Sequence, residues 1–227
     1  MPTLGGVRTA PRAAIVTASW IIPCLFAVSA CGGEEETADD ERAASPPPAS
    51  SSPSGDAGEL LEGLTAAPEE SMSGYSRERF PHWSSSDGCT TRQLVLRRDG
   101  EGVETDDECD PVSGSWYSPY DGETLTDSSD VDIDHVVPLA EAWRSGAASW
   151  TDERREEFAN DLTAPQLLAT SASSNRSKGD QDPADWRPPR EDYWCTYATS
   201  WIEVKHAYEL TVDDDEREAL EEMLGRC

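Results

Sequence analysis

Residues 130–143 read DVDIDHVVPLAEAW, with an aspartate directly before a histidine at the end of a short run that alternates polar and apolar residues. Imidazole titrates near neutral pH and can take a proton from water. Carboxylate and amide oxygens are hard donors suited to hard cations. Neighbours on a continuing strand face opposite ways, but at a strand end, where the chain turns into Pro138, Asp134 and His135 can both reach one site. An acid beside a histidine is weak evidence alone, because a strand end more often carries a surface carboxylate next to a half-buried ring. Two amides downstream sharpen it: Asn160 in FANDL and Asn175 in SSNRSKGD.

The elements that must position these residues follow from local pattern. VDIDHVV alternates like a strand, and Pro138 opens a helix over PLAEAWRSGA. Thr151 is a good N-cap for TDERREEFAN, with acids in its first turn. PQLLATSAS is a candidate partner strand, followed by a loop or short helix over SNRSKGDQDPADW. Upstream, GELLEGLTAA reads as a short helix, and CTTRQLVLRRDG as a helical or extended segment stopped by Gly100. Turn residues between Gly102 and Thr126 separate two or three short strands. Two helices, about Glu191–Leu210 and Asp213–Leu224, close the chain. The expected class is α+β, with additional short strands before the candidate site and helices at the C-terminus.

In this order, DIDHVVPLAEAW, ANDLTAPQLLATSASSNRSKGD and the helices between them resemble the HNH, or ββα-metal, endonuclease family. The likeness is closest to secreted proteins related to the C-terminal domain of modification-dependent restriction enzymes, and the same residue order occurs in the HNH domain of RNA-guided CRISPR nucleases. Its core covers about residues 130–185, and YSRERFPHW, CTTRQLVLRRDG and SGSWYSPYDG extend it over nearly all of 75–227. The resemblance implies a ββα-metal core and hydrolysis of phosphodiester bonds. It further implies that Asp134 and Asn175 hold one divalent cation, magnesium or manganese, and that His135 is the general base. Asn160 would orient the imidazole or its loop, Lys178 would contact phosphate, and Arg176 would contact it more weakly. Asn175 stands where the family usually has histidine. Asp132 is expected to face solvent, with a supporting contact behind the metal-holding residues as the alternative, His82 to pack among aromatics, and His206 to lie on a helix face.

Charge argues the other way. The formal net charge is -28, and even between Asp130 and His206 eight basic residues face fifteen acids. Such a chain does not grip phosphate backbones by bulk electrostatics. A catalytically inactive surface lipoprotein, using the same scaffold as a binding module, is therefore the alternative. For the nuclease reading, DNA is expected over RNA as the partner, and the protein is expected to act as a monomer.

The chain's ends bear on its compartment. Two arginines, an uncharged stretch from Ala13 to Ala30 and small residues before Cys31 read as an export signal over 1–30. VSAC resembles a bacterial lipobox, so Cys31 is expected to carry a lipid that holds the protein on the outer face of the cell membrane. Residues 31–58, rich in Pro, Ser, Ala and acids, are expected to form a flexible tether, with the folded domain spanning 59–227. Four cysteines remain, Cys89, Cys109, Cys195 and Cys227, and an even count in an exported chain points to two disulfides. Of three connectivities, neighbour pairing is expected. No close cysteine pair suggests structural zinc.

Overall fold

A computed structural model describes residues 53–227. The signal segment 1–30, Cys31 and most of the tether lie outside the described residues. The first helix, α1 (Pro53–Gly63), starts earlier than the tether reading allowed. Proline is well tolerated in a first helical turn, and Asp56 is an acid in that turn.

A hairpin of β1 (Ser85–Ser86) and β2 (Cys89–Thr90) leads into α2 (Thr91–Asp99). A reciprocal cap starts that helix: the Thr90 hydroxyl accepts from Gln93 N–H, and the Gln93 side chain accepts from Thr90 N–H. Three antiparallel strands follow, β3 (Gly100–Thr105), β4 (Pro111–Tyr117) and β5 (Thr124–Leu125). Gly100 ends α2 where the chain passes against the Trp116 indole, whose Nε1 donates to the Leu96 carbonyl at 2.8 Å. A Cβ at Gly100 would lie 2.5 Å from that nitrogen, so glycine is needed there for space.

The central unit is an antiparallel pair, β6 (Val131–His135) and β7 (Leu167–Ser171), followed directly by α5 (Ala172–Lys178), which packs on both strands. The register sets Asp134 opposite Leu168 and His135 opposite Leu167. Between the strands run α3 (Leu139–Arg144) and α4 (Asp152–Ala159), the latter capped by the Thr151 hydroxyl. The chain ends in α6 (Trp194–Tyr208) and α7 (Asp214–Leu224), which pack with α1.

Two apolar clusters support these elements. The larger is aromatic, built around Phe80, Tyr120, Trp143, Phe158, Tyr197 and Trp201; the smaller joins Val95, Leu96 and Trp116 to the inner residues of β6 and β7. Disulfides join Cys89 to Cys109 and Cys195 to Cys227, the neighbour pairing expected, and the second ties the start of α6 to the C-terminus. The architecture is α+β. Among the described residues, no helix is long and apolar enough to cross a membrane.

Candidate active site

Asp134 and His135 end β6 at the point where regular pairing gives out. Beyond it the ladder continues through one side chain. Val136 N–H donates to the Gln166 backbone carbonyl at 2.8 Å, Val137 N–H to Gln166 Oε1 at 3.1 Å, and Gln166 Nε2 returns to the Val137 carbonyl at 2.9 Å. This fully buried glutamine fixes the turn into Pro138 and so the direction of the two residues before it.

Both members of the pair are buried, and they take different partners. His135 Nε2 lies 2.9 Å from the Ala159 carbonyl. A carbonyl only accepts, so in the neutral ring Nε2 carries the hydrogen and Nδ1 is the base. Nδ1 has no partner among the described residues. Burial pulls the His135 pKa down to about 3, and the positive charges of Arg77 and Lys178 add to the shift. Trp83 covers the imidazole with ring centroids 5.7 Å apart, from a left-handed backbone position with φ 62° that is costly for a bulky residue.

Asn160 holds that arrangement without touching the ring. Its Oδ1 accepts from Ser84 N–H and the Thr91 hydroxyl, both at 2.9 Å, and its Nδ2 donates to the carbonyls of Pro81 at 2.8 Å and Glu156 at 2.7 Å. It therefore ties the segment bearing Trp83 to the end of α4, one residue from the carbonyl that orients His135. The orienting role expected from the sequence corresponds here to an indirect placement.

Asp134 is held on both oxygens. Tyr120 donates its hydroxyl to Oδ2 at 2.6 Å, and Lys178 donates from Nζ to Oδ1 at 2.9 Å and to the His135 carbonyl at 2.8 Å. Burial pushes the carboxyl up and the ammonium down, and each group opposes the other's shift. Lys178 has no exposed surface, so the phosphate contact expected of it gives way to a buried ion pair. The reason is helical spacing: Lys178 lies three residues after Asn175, on the face of α5 that packs against β6. Arg176 points elsewhere; it is exposed and does not line the cavity described next.

Asn175 is half-buried, with Nδ2 donating to Asp132 Oδ2 at 3.2 Å and no partner for Oδ1 among the described residues. Asp132 is accordingly a partner of Asn175 and not simply a solvent-facing acid. Asp134, His135 and Asn175 share the wall of one cavity of about 80 Å³ with Tyr75, Arg77 and Asp180. The donor set suits a hard cation. Each Asp134 oxygen keeps a second lone pair, Asn175 Oδ1 is unengaged, Asp180 adds a carboxylate, and the volume admits an ion with a few waters. Another gathering of acids, Glu69, Asp182 and Asp213, has oxygens within 4.8 Å of one another. It is tied into the fold by Arg144 on Glu69 and by the capping bond from Asp213 to α7, away from the histidine.

Sequence reading alone misses Tyr120, Gln166, Arg77 and Asp180. Tyr120 and Arg77 lie in segments that carry the resemblance, YSPYDG and YSRERF, but only distant contacts reveal what they face.

A strand pair and the helix after it thus bring an imidazole, a buried carboxylate and an amide to one polar cavity. The chain belongs to the family described as GmrSD restriction endonucleases, C-terminal domain, which matches residues 100–223. It is also similar to a protein of Arthroderma benhamiae described as an uncharacterized secreted protein, 56% identical over 172 residues, covering 75% of this chain and 84% of the relative. No solved structure matches.

Proposed function

We propose that the chain is an exported HNH-type endonuclease that hydrolyses nucleic-acid phosphodiester bonds with one divalent cation, magnesium or manganese. The observation that carries this reading is the meeting of Asp134, His135 and Asn175, from a strand end and a following helix, on one small polar cavity. Family membership supports a nuclease.

Neutral His135 accepts a proton at Nδ1 from the attacking water while Nε2–H stays on the Ala159 carbonyl. The water oxygen bonds to phosphorus, the bond to the leaving oxygen breaks, and that oxygen takes a proton from solvent. An imidazole held near 3 is too weak a base by itself. An anionic phosphodiester beside it raises its proton affinity toward the working range. Oxygens of Asp134 and Asn175 would hold a divalent cation, which would supply neutralisation of the phosphate's negative charge. Tyr120 and Lys178 keep Asp134 aimed and ionised, and Asn160 keeps the imidazole's carbonyl partner in place.

Export is supported by the signal-like segment 1–30, the two disulfides and the relative described as secreted. A lipid on Cys31 would hold the enzyme at the membrane, and metabolic labelling with a palmitate analogue, with and without Cys31→Ala, tests that part.

The central test is plasmid nicking with magnesium or manganese, wild type beside His135→Ala. Loss of nicking in the variant is expected, and equal cleavage by both removes His135 from the mechanism. One observation favours the silent scaffold: both Asp134 oxygens already have protein partners. Calorimetric titration with magnesium, beside Asp134→Ala, separates the two, since a scaffold has no binding that Asp134 controls.

A further inference from the structure

We propose that Arg77 binds the non-bridging oxygens of the phosphate undergoing hydrolysis and that His82 positions it; this rests on the nuclease reading. Lys178 is committed to Asp134 and does not line the cavity, and Arg77 is the one lysine or arginine among the residues that do. It is exposed, and its Nε donates to His82 Nε2 at 3.4 Å. Its two terminal amines have no partner among the described residues. A planar guanidinium with that edge open matches a phosphate's paired oxygens better than an ammonium does.

His82 is built to hold it. Its Nδ1 lies 2.9 Å from the Phe80 carbonyl, so in the neutral ring Nδ1 carries the hydrogen and Nε2 is the acceptor that Arg77 needs. The ring packs edge-on against Trp83 at 5.4 Å, and Trp83 in turn covers His135. A single strained turn, secured by Asn160, thus carries the indole over the base and the histidine that aims the guanidinium. Arg77 and His135 line the same cavity, so one substrate phosphate can reach both. An arginine here also supplies what the acidic composition lacks, one local positive charge at the point of chemistry.

The test compares wild type, Arg77→Ala, Arg77→Lys and Arg97→Ala for plasmid nicking. Arg97 is exposed on α2 and does not line the cavity, so it controls for loss of one charge. We expect kcat/KM to fall about 10- to 100-fold in Arg77→Ala, to recover in part in Arg77→Lys, and to stay near wild type in Arg97→Ala. A second readout is fluorescence anisotropy of a short DNA duplex with the His135→Ala protein across a salt series. Adding Arg77→Ala should lower the slope of log affinity on log salt by about 0.9. His82→Phe should raise KM, and His82→Gln, whose amide oxygen can accept from Arg77, should restore it. An active wild type with Arg77→Ala unchanged in both assays overturns this role and leaves the nuclease reading standing. Equal losses in Arg77→Ala and Arg97→Ala also overturn it. Duplex binding that depends on Arg77, with no cleavage by wild type, retains the phosphate site and removes the hydrolytic reading; neither binding nor cleavage removes both.

Discussion

Replacing Lys178 by methionine distinguishes a buried positioning role from the phosphate contact that its place in SSNRSKGD suggests. The ammonium lies 2.9 Å from Asp134 Oδ1 and has no exposed surface. At an effective dielectric of about 20 that separation corresponds to roughly 6 kcal/mol of gross attraction, most of it offset by desolvation of both ions. Removing one partner exposes the other's desolvation cost, about 3–5 kcal/mol for a buried pair. Tyr120 remains to donate to Oδ2, which favours the lower end. For a domain of this size the melting temperature should drop by roughly 6–20 °C. Urea denaturation and calorimetry of Lys178→Met, Asp134→Asn and the double variant measure it, and the double variant should recover at least half of the loss. A phosphate contact behaves differently: stability stays within about 0.5 kcal/mol of wild type while the salt slope of DNA binding falls by about 0.9. That second pattern, or a double variant no more stable than Lys178→Met, refutes the ion-pair reasoning.

Asn160→Ala removes four hydrogen bonds, two of them to the segment bearing Trp83; a loss of about 2–3 kcal/mol by urea denaturation is expected, with kcat falling more than KM rises. The His135 pKa is about 3 in the fold against 6.5 in an open chain, so its contribution to stability is present above 6.5 and is lost as pH falls from there toward 3. Over that window wild type should lose up to about 1.4 kcal/mol per pH unit more than His135→Phe, read from denaturation at stepped pH. Glu216 has the opposite sign: burial pushes it up to about 7 from 4.5, against the opposing pull of Lys205. Its contribution is present below 4.5 and is lost as pH rises through 7, and Glu216→Gln should flatten the decline over that interval in the same assay. Binding of duplex DNA by His135→Ala should show a salt slope of about -1 to -2, measured by anisotropy, because so few cations stand at the cavity.

Local signals in the sequence identified most of the scaffold. Alternation in VDIDHVV located β6, the Thr151 cap located α4, and β7 followed from PQLLATSAS. Neighbour pairing of the cysteines was also within reach. Directions of side chains were harder to obtain. Asn175 and Lys178 are three apart on one helix, so an inward Asn175 already implied an inward Lys178; the phosphate expectation treated them as independent. Tyr120 is bonded to a residue fourteen positions later, from a segment that reads as short strands and turns with no sign of what its side chains face. Arg77 shares a cavity with His135 across a much longer stretch of chain, and no period or cap in a single sequence encodes a juxtaposition of that kind. Asn160 is legible as a polar residue beside the site, while the carbonyl of Ala159, which lies against His135, carries no side-chain signature at all.

The acidity that seemed to exclude phosphate acts at a different distance from the chemistry. At physiological ionic strength exposed charges are largely screened beyond about 8 Å, so the cavity responds chiefly to the charges that line it. What an approaching phosphate meets there is local: Asp134 is balanced by Lys178, and Asp180 and Arg77 bring opposite charges to the same cavity. That balance is close to neutral before a divalent ion is added and positive after it. The ion, not the protein surface, would then supply the attraction for substrate, so affinity should rise with divalent concentration before turnover saturates. An enzyme so arranged needs no basic track to act on phosphodiesters, and its acidic surface would disfavour non-productive binding elsewhere on the same polyanion.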